Sequence, residues 1–130
     1  MRGLYPAVLQ GVAGDAVLFH LAATMKSVCR QVDVLARIGG EEFAVILPSV
    51  DLADAMAVAE RLRAQVQLIP AIYEQHVIAY TISIGVAAMD DSLTGFDGLM
   101  KRADQALYAA KRRGRNQVAI FDTDAADFPT

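Results

Sequence analysis

The chain has 130 residues, of which 55% are apolar and 21% charged, and its formal net charge is −3. This length and composition are typical of one globular domain and exclude a disordered or collagen-like chain. The acidic balance argues against general binding along a nucleic-acid backbone, but a local basic cluster is still compatible with a small phosphorylated ligand. We therefore expect a nucleotide, not a nucleic acid, as the partner.

The sequence predicts a cytoplasmic protein with no membrane insertion by this chain. Its longest notable uncharged stretch, residues 77–89, is too short to cross a bilayer and is rich in β-branched residues. Residues 1–10 lack the pattern of a secretory signal. The only cysteine, Cys29, excludes an internal disulfide and favours a reducing compartment.

The first half of the chain predicts a helix and then a hairpin. Apolar residues at helical spacing predict a helix over residues 15–30. Two β-prone runs, 32–38 and 43–47, follow, and two glycines and two glutamates separate them. This pattern predicts two antiparallel strands joined by an acidic turn.

The second half predicts two helices and two strands. A helix over residues 51–68 begins with acidic residues, which suit the positive end of the helix dipole. The run 76–89 predicts one central strand, in which Gly85 allows close approach of another backbone. A helix over residues 94–113 is expected to be capped by Thr94 and ended by Gly114, before a last strand over residues 117–121.

This order of elements predicts an α+β fold, a sandwich of helices on a largely antiparallel sheet. A ferredoxin-like core needs one more strand before the first helix, and only residues 3–9 are available for it. Pro6 lies within that segment and would remove a hydrogen-bond donor. We therefore expect the first strand to be missing or degraded, with unpaired strand edges that favour strand exchange between chains.

The turn between the two hairpin strands carries the residues with the clearest chemistry. Gly39 and Gly40 allow backbone to approach a ligand closely, and Glu41 and Glu42 offer hard oxygen ligands for Mg²⁺. The pattern suits phosphate and metal binding. A solvated hairpin tip is the alternative that the turn alone leaves open.

Several separated motifs resemble the GGDEF family of diguanylate cyclases. The turn and Phe43 form a GGEEF variant of the name-giving motif, and Arg30 with Asp33 resembles the family's RxxD inhibitory site. The other matching segments, in chain order, are Gly14 with Asp15, residues 81–86, residues 103–111 and residues 114–116. The resemblance implies a nucleotide-cyclase-type sandwich, with a single GGDEF domain over residues 1–122 and an acidic tail over residues 123–130.

The resemblance also implies a reaction and a set of roles. In the family, two domains that each hold one GTP and Mg²⁺ face one another, and together they form cyclic di-GMP and pyrophosphate, so a homodimer is needed. Glu41 would ligate the metal and act in catalysis with Glu42, whereas Asp15 would contact guanine. Gly39, Gly40, Lys111 and Arg115 would bind the phosphates. Without the resemblance, Asp15 is a helix cap, and Lys111 and Arg115 suit the C-terminal end of a helix dipole.

The start of the chain departs from the family pattern. By the family's spacing, a metal-binding Asp of the first strand would fall before Met1, and Pro6 stands where a guanine-binding Asn is expected. Gly11 stands where a His usually precedes the Gly-Asp pair. A Mg²⁺ ion held by fewer carboxylates is poorly positioned for phosphoryl transfer. We therefore expect an N-terminally truncated domain that is inactive or weakly active.

A second hypothesis belongs to another class of function, because the sequence leaves open whether this chain is an enzyme. Arg30, Asp33 and Arg61 would form a cyclic di-GMP site in a non-catalytic receptor or interaction module. Arginine pairs with phosphate or with the guanine edge, and aspartate accepts from guanine N–H groups. The alternative for Arg30 and Asp33 is an ordinary ion pair at a helix end.

Overall fold

A computed structural model describes residues 2–7, 14–37, 42–88 and 95–121 of the chain. The predicted Thr94 cap and the acidic tail at 123–130 lie outside these residues. The predicted α+β class is confirmed, and no helix in the described ranges is long and apolar enough to cross a membrane. The elements are β1 (Arg2–Ala7), α1 (Gly14–Val28), β2 (Val34–Arg37), β3 (Phe43–Ile46), α2 (Leu52–Leu68), β4 (Ala71–Tyr73), β5 (His76–Ile78), β6 (Ser83–Ala88), α3 (Phe96–Arg112) and β7 (Val118–Ile120).

The main sheet has the strand order β2-β3-β1-β6-β7. β1 pairs antiparallel with both β3 and β6, β2 pairs antiparallel with β3, and only β6 and β7 are parallel. The mostly antiparallel sheet predicted from the sequence is therefore confirmed.

The position of β1 corrects one expectation about the first strand. The strand is not missing: it fills the centre of the sheet and pairs with β6 from Arg2 opposite Ala88 to Ala7 opposite Ser83. Pro6 does lie inside it, opposite Ile84, and contributes no N–H donor. Because one lost donor leaves the other backbone groups able to pair, the strand still forms. The expectation of an open sheet centre is therefore wrong, and strand exchange between chains stays a prediction.

The single strand predicted over residues 76–89 is also corrected. The structure divides this run into β5, which pairs with β4 in a separate two-stranded sheet, and β6 in the main sheet. Between β4 and β5, Glu74 and Gln75 have φ values of 48° and 73°, the backbone of a tight hairpin turn. A continuous β-prone composition does not reveal where the chain leaves one sheet for another.

Helices cover both faces of the main sheet. The cluster on one face joins α1 and α2 to alternate strand residues such as Val45, Ile84 and Val86. On the other face α3 packs against Ala44 and Ala87. The helix predicted over residues 94–113 is confirmed as α3, and its apolar face is buried: Leu99, Ala103, Ala106, Leu107 and Ala110.

Gly85 is the point of closest approach between β6 and α3. A Cβ atom added there would lie 2.2 Å from the Ala103 carbonyl oxygen and 2.3 Å from the Leu107 nitrogen. Real Cβ atoms do not approach backbone so closely, so the helix would have to move away from the sheet. The predicted close backbone contact at Gly85 is confirmed.

Candidate functional site

The sheet topology brings distant parts of the sequence to one edge. β3 and β6 run in the same direction, because each is antiparallel to β1, which lies between them. Their first residues therefore share an edge and lie about 10 Å apart, or two strand spacings. We call this end of the sheet, where β3 and β6 begin beside Glu42 and at Ser83, the signature edge. The name refers to the ends of the strands and not to an outer strand of the sheet.

The predicted hairpin turn begins and ends at the signature edge. Arg37, the last residue of β2, pairs with Phe43, the first residue of β3. Glu42 directly precedes β3 and is partly exposed. The other predicted turn residues, Gly39, Gly40 and Glu41, lie outside the described residues, so their roles stay predictions.

Three more predicted site residues belong to segments that begin or end on this side of the sheet. The C-terminal end of β1 lies at the signature edge, and α1 crosses back from there to the start of β2 at the opposite edge. Asp15 is exposed in the first turn of α1. Lys111 lies in the last turn of α3, and exposed Arg115 follows it just before β7, whose start lies beside that of β6. The topology thus places one acidic and two basic positions on the same side of the sheet as Glu42.

An unusual turn holds Arg115. Gly114, Arg115 and Asn116 have φ values of 119°, 65° and 49°, so three successive residues are left-handed. The Asn116 N–H donates to the hydroxyl oxygen of buried Ser83, at 3.1 Å. The Gln117 side-chain amide donates to the carbonyl oxygens of Arg113 and Arg115, at 3.1 and 3.2 Å. This turn therefore presents Arg115 from a backbone that is bonded to the sheet.

Arg63 on α2 is a residue of this region that the sequence analysis did not single out. Its Nη1 donates to the Asn116 side-chain oxygen at 3.0 Å and to Gln67 Oε1 at 2.9 Å. Its Nε donates to both carboxylate oxygens of Glu60, at 2.9 and 3.1 Å, and its Nη2 also bonds Glu60. These hydrogen bonds lower the pKa of Glu60 and raise that of Arg63. The i,i+3 spacing of Glu60 and Arg63 is a sequence signal for the ion pair, but none links Arg63 to Asn116.

The donor set at the signature edge suits a phosphorylated ligand with a divalent cation. Glu42 supplies a carboxylate and Lys111 and Arg115 supply positive charge, the combination that phosphate groups and Mg²⁺ require. Within the described ranges, no group of three or more His, Cys, Asp or Glu residues is placed to hold a metal ion. Among the described residues that flank the predicted hairpin turn, Glu42 carries a carboxylate that could contact such a cation.

The predicted RxxD residues lie at the opposite edge of the sheet. Arg30 Nε and Nη2 donate to Asp33 Oδ1 at 3.2 and 2.8 Å, and the Arg30 backbone N–H donates to Asp33 Oδ2 at 2.7 Å. Arg30 Nη2 also donates to the Pro48 carbonyl at 2.7 Å, which ties the pair to the end of β3. The Asp33 side chain is only 2% exposed, whereas that of Arg30 is 47% exposed. The pair is therefore more than a surface ion pair, and Arg30 remains accessible.

A surface cleft of ≈ 530 Å³ opens beside this pair. Its lining combines the positive charges of Lys26 and Arg30 with the carboxylate of Asp33. Arg61, the third predicted residue, is exposed and donates from Nη2 to the Val28 carbonyl at the end of α1, at 2.8 Å. The remaining lining residues are Cys29, Gln31 and Leu35.

Solved structures of similar domains share the fold. The active GGEEF domain of a diguanylate cyclase from Vibrio cholerae is 26% identical, with a TM-score of 0.84 over 95% of this chain and 83% of that chain. The GGDEF domain of DgcB from Caulobacter crescentus, in complex with c-di-GMP, is 29% identical, with a TM-score of 0.83 over 92% of this chain and 76% of that chain.

Curated relatives and a family model agree with this likeness. Diguanylate cyclase A of Treponema denticola is 44% identical over 108 residues, which cover 83% of this chain and 29% of that protein. The chain spans less than a third of the length of the first curated relatives that it matches. The model of the diguanylate cyclase GGDEF domain matches residues 12–117. With four fifths of its residues in that match and the motifs grouped at the two edges of the sheet, the chain belongs to the GGDEF-domain family of diguanylate cyclases.

Proposed function

We propose that this chain is a GTP-binding domain of cyclic di-GMP signalling, of diguanylate cyclase type, that makes little or no cyclic di-GMP alone. The supporting observation is the grouping around the signature edge of segments that are far apart in the sequence. The start of α1, the start of β3 and the turn after α3 all contribute, with Asp15, Glu42 and Arg115 respectively. The setting proposed for this domain is the cytoplasm.

Each proposed role follows from side-chain chemistry. Asp15 accepts hydrogen bonds from guanine N–H groups, and Lys111 and Arg115 bind the triphosphate. Gly39 and Gly40 let the backbone approach the phosphates. Glu41 ligates Mg²⁺, and Glu41 and Glu42 together form the acidic part of the site.

Phosphoryl transfer depends on a precisely positioned metal and nucleophile. When bound, Mg²⁺ neutralises charge on the phosphate groups. β1 lies directly beside β3, so a carboxylate on β1 could act as a second metal ligand. Residues 2–7, however, include no Asp or Glu. Loss of such positioning typically costs orders of magnitude in rate. This is the reason for proposing binding with little turnover.

A homodimer is the proposed catalytic assembly, because one GTP per domain must meet the other. Support for a competent glutamate turn comes from the Vibrio cholerae relative, which is described as an active GGEEF domain. Because formation of the homodimer and conversion of GTP are separate proposals, each needs its own measurement.

Calorimetric titration with GTP and Mg²⁺, with chromatography of the products, tests this proposal. We expect GTP binding that Arg115→Ala weakens about tenfold, the effect of losing one good charge-assisted contact. Lys101→Ala is the matched control, because it removes an exposed positive charge about 15 Å along α3 from Lys111. Rapid cyclic di-GMP formation would refute the proposed low activity, and absence of GTP binding would refute the function itself.

A second candidate is a non-catalytic cyclic di-GMP receptor that uses the opposite edge. The supporting observation is the half-exposed Arg30 guanidinium, held by Asp33 and Pro48 beside an open cleft. The relative from Caulobacter crescentus was solved in complex with c-di-GMP. Because the described residues that line this cleft do not include Glu42 or any other residue of the signature edge, we propose that ligand binding there does not depend on the carboxylates that catalysis needs.

A further inference from the structure

The turn that carries Arg115 has a backbone that needs outside support. Arg115 and Asn116 are both left-handed, with φ values of 65° and 49°. Asparagine tolerates this region, whereas a long side chain such as arginine is disfavoured there. Two adjacent non-glycine residues hold such a conformation only where neighbouring groups stabilise it.

The support comes from two other elements. The buried Ser83 hydroxyl, at the start of β6, accepts from the Asn116 N–H at 3.1 Å. Arg63, in the fourth turn of α2, donates to the Asn116 side-chain oxygen at 3.0 Å. Asn116 is thereby fixed at its backbone by the sheet and at its side chain by a helix.

Arg63 is itself fully engaged. Its Nε and Nη2 bond Glu60, and its Nη1 bonds Gln67 and Asn116. Its side chain is only 17% exposed. With all three guanidinium nitrogens already donating within the protein, Arg63 is suited to hold the turn and not to bind a ligand directly.

We infer that Arg63 is a positioning residue, which acts through Asn116 and alongside the Ser83 hydrogen bond to hold Arg115 in the orientation that binds a nucleoside triphosphate. This rests on the proposed function, because it takes Arg115 as the triphosphate contact. Ordering the arginine before the ligand arrives reduces the entropy lost on binding. The gain in affinity that Arg63 provides should therefore depend on the outer phosphates of the ligand and not on its base.

Calorimetric titration with GTP and with GMP, both with Mg²⁺, tests the inference. We expect Arg63→Ala to weaken GTP binding about fivefold to tenfold and to leave GMP binding within about twofold. The double variant Arg63→Ala/Arg115→Ala should lose no more GTP affinity than Arg115→Ala alone, because one effect acts through the other. Lys101→Ala is again the control for loss of an exposed positive charge.

Asn116 variants separate the hydrogen bond from the backbone conformation. Asn116→Gly keeps left-handed freedom but loses the acceptor, so it should weaken GTP binding as Arg63→Ala does. Asn116→Asp keeps both the acceptor and the tolerance of the left-handed backbone, so it should bind GTP more tightly than Asn116→Gly does. If circular dichroism shows that Arg63→Ala does not fold, Asn116→Gly and Asn116→Asp replace it in the comparison of GTP affinities.

Amide hydrogen exchange of the ligand-free chain supplies a readout independent of GTP. We expect the Asn116 N–H, which bonds buried Ser83, to exchange faster in Arg63→Ala than in the wild type. Faster exchange with unchanged GTP affinity would reduce Arg63 to a merely structural role and overturn the inference. If Arg115→Ala itself leaves GTP affinity unchanged, the proposed function of the signature edge fails, and the inference fails with it.

Discussion

Cys29 lies beside the Arg30–Asp33 pair, where its surroundings decide its chemistry. Burial, followed by the negative charge of Asp33, raises the pKa of its thiol from 9.0 to about 11. The thiolate is the reactive form, so at neutral pH this residue is a small, inert packing group. That environment agrees with the absence of any catalytic role for Cys29 in the proposed function.

Alkylation by iodoacetamide tests this environment directly, because the chain has only one cysteine. The folded chain should react slowly at pH 8 and faster as the pH rises toward about 11. Because the folded pKa is the higher one, the contribution of the protonated thiol to stability is present below about 9 and is lost as pH rises through about 11. A reactivity midpoint at or below 9.0, the ordinary value, would contradict the assignment.

The backbone of α3 lies close to β6 where the helix crosses Gly85. α3 can lie close to β6 because the residues between the two backbones are small. Ala103 and Ala106 are buried, and Gly85 has no side chain. Since α3 leads directly into the turn with Arg115, this contact also positions Lys111 and Arg115, the residues proposed to bind phosphate.

Gly85→Ala should therefore destabilise the protein strongly. The new Cβ would meet two backbone atoms within 2.3 Å, so relaxation requires the helix to move. We expect a loss of about 3 kcal/mol in the free energy of unfolding, at the upper end of typical overpacking costs. Urea unfolding measures this loss, with Ala57→Ser on the exposed side of α2 as the control, expected within about 0.5 kcal/mol. A change at Gly85 as small as the control would refute the close contact.

At the scale of the whole molecule, the sheet separates two groups of candidate ligand-binding residues. The signature edge holds Glu42, and the opposite edge holds Arg30 and Asp33 beside Pro48. The four residues of β3, which span about 13 Å, lie between the two groups. The two groups therefore lie on the same sheet, and none of the residues named here belongs to both groups.

Single substitutions should consequently affect one ligand at a time. Arg30→Ala should weaken cyclic di-GMP binding about tenfold and leave GTP binding unchanged. Arg115→Ala should weaken GTP binding about tenfold and leave cyclic di-GMP binding unchanged. Arg30→Lys, which keeps the charge but loses the fork to Asp33, should lie between the wild type and Arg30→Ala. Titration of each variant with both ligands makes the comparison. Unchanged cyclic di-GMP affinity in Arg30→Ala would remove the receptor hypothesis.

Local sequence patterns determined most of the elements. Helical spacing of apolar residues predicted α1, α2 and α3, because this periodicity depends on neighbours along the chain. A glycine inside a β-prone run also indicated the close backbone approach at Gly85, although the sequence did not identify α3 as its partner. The family motifs also identified Arg30, Asp33, Lys111 and Arg115 as candidate site residues, whose roles remain proposals. Each of these predictions required only periodicity or a short motif.

The tertiary structure alone decided which segments meet. Pairing on both sides allows residues 2–7 to form the central strand despite Pro6, and the Glu74–Gln75 turn divides a run that appeared to be one strand. The contact between Arg63 and Asn116 joins residues 53 positions apart. Such contacts depend on the register and packing of whole elements, which local propensity does not encode. The physical reason is that a sequence pattern specifies the face that an element buries, whereas only the assembled sheet determines what lies against that face.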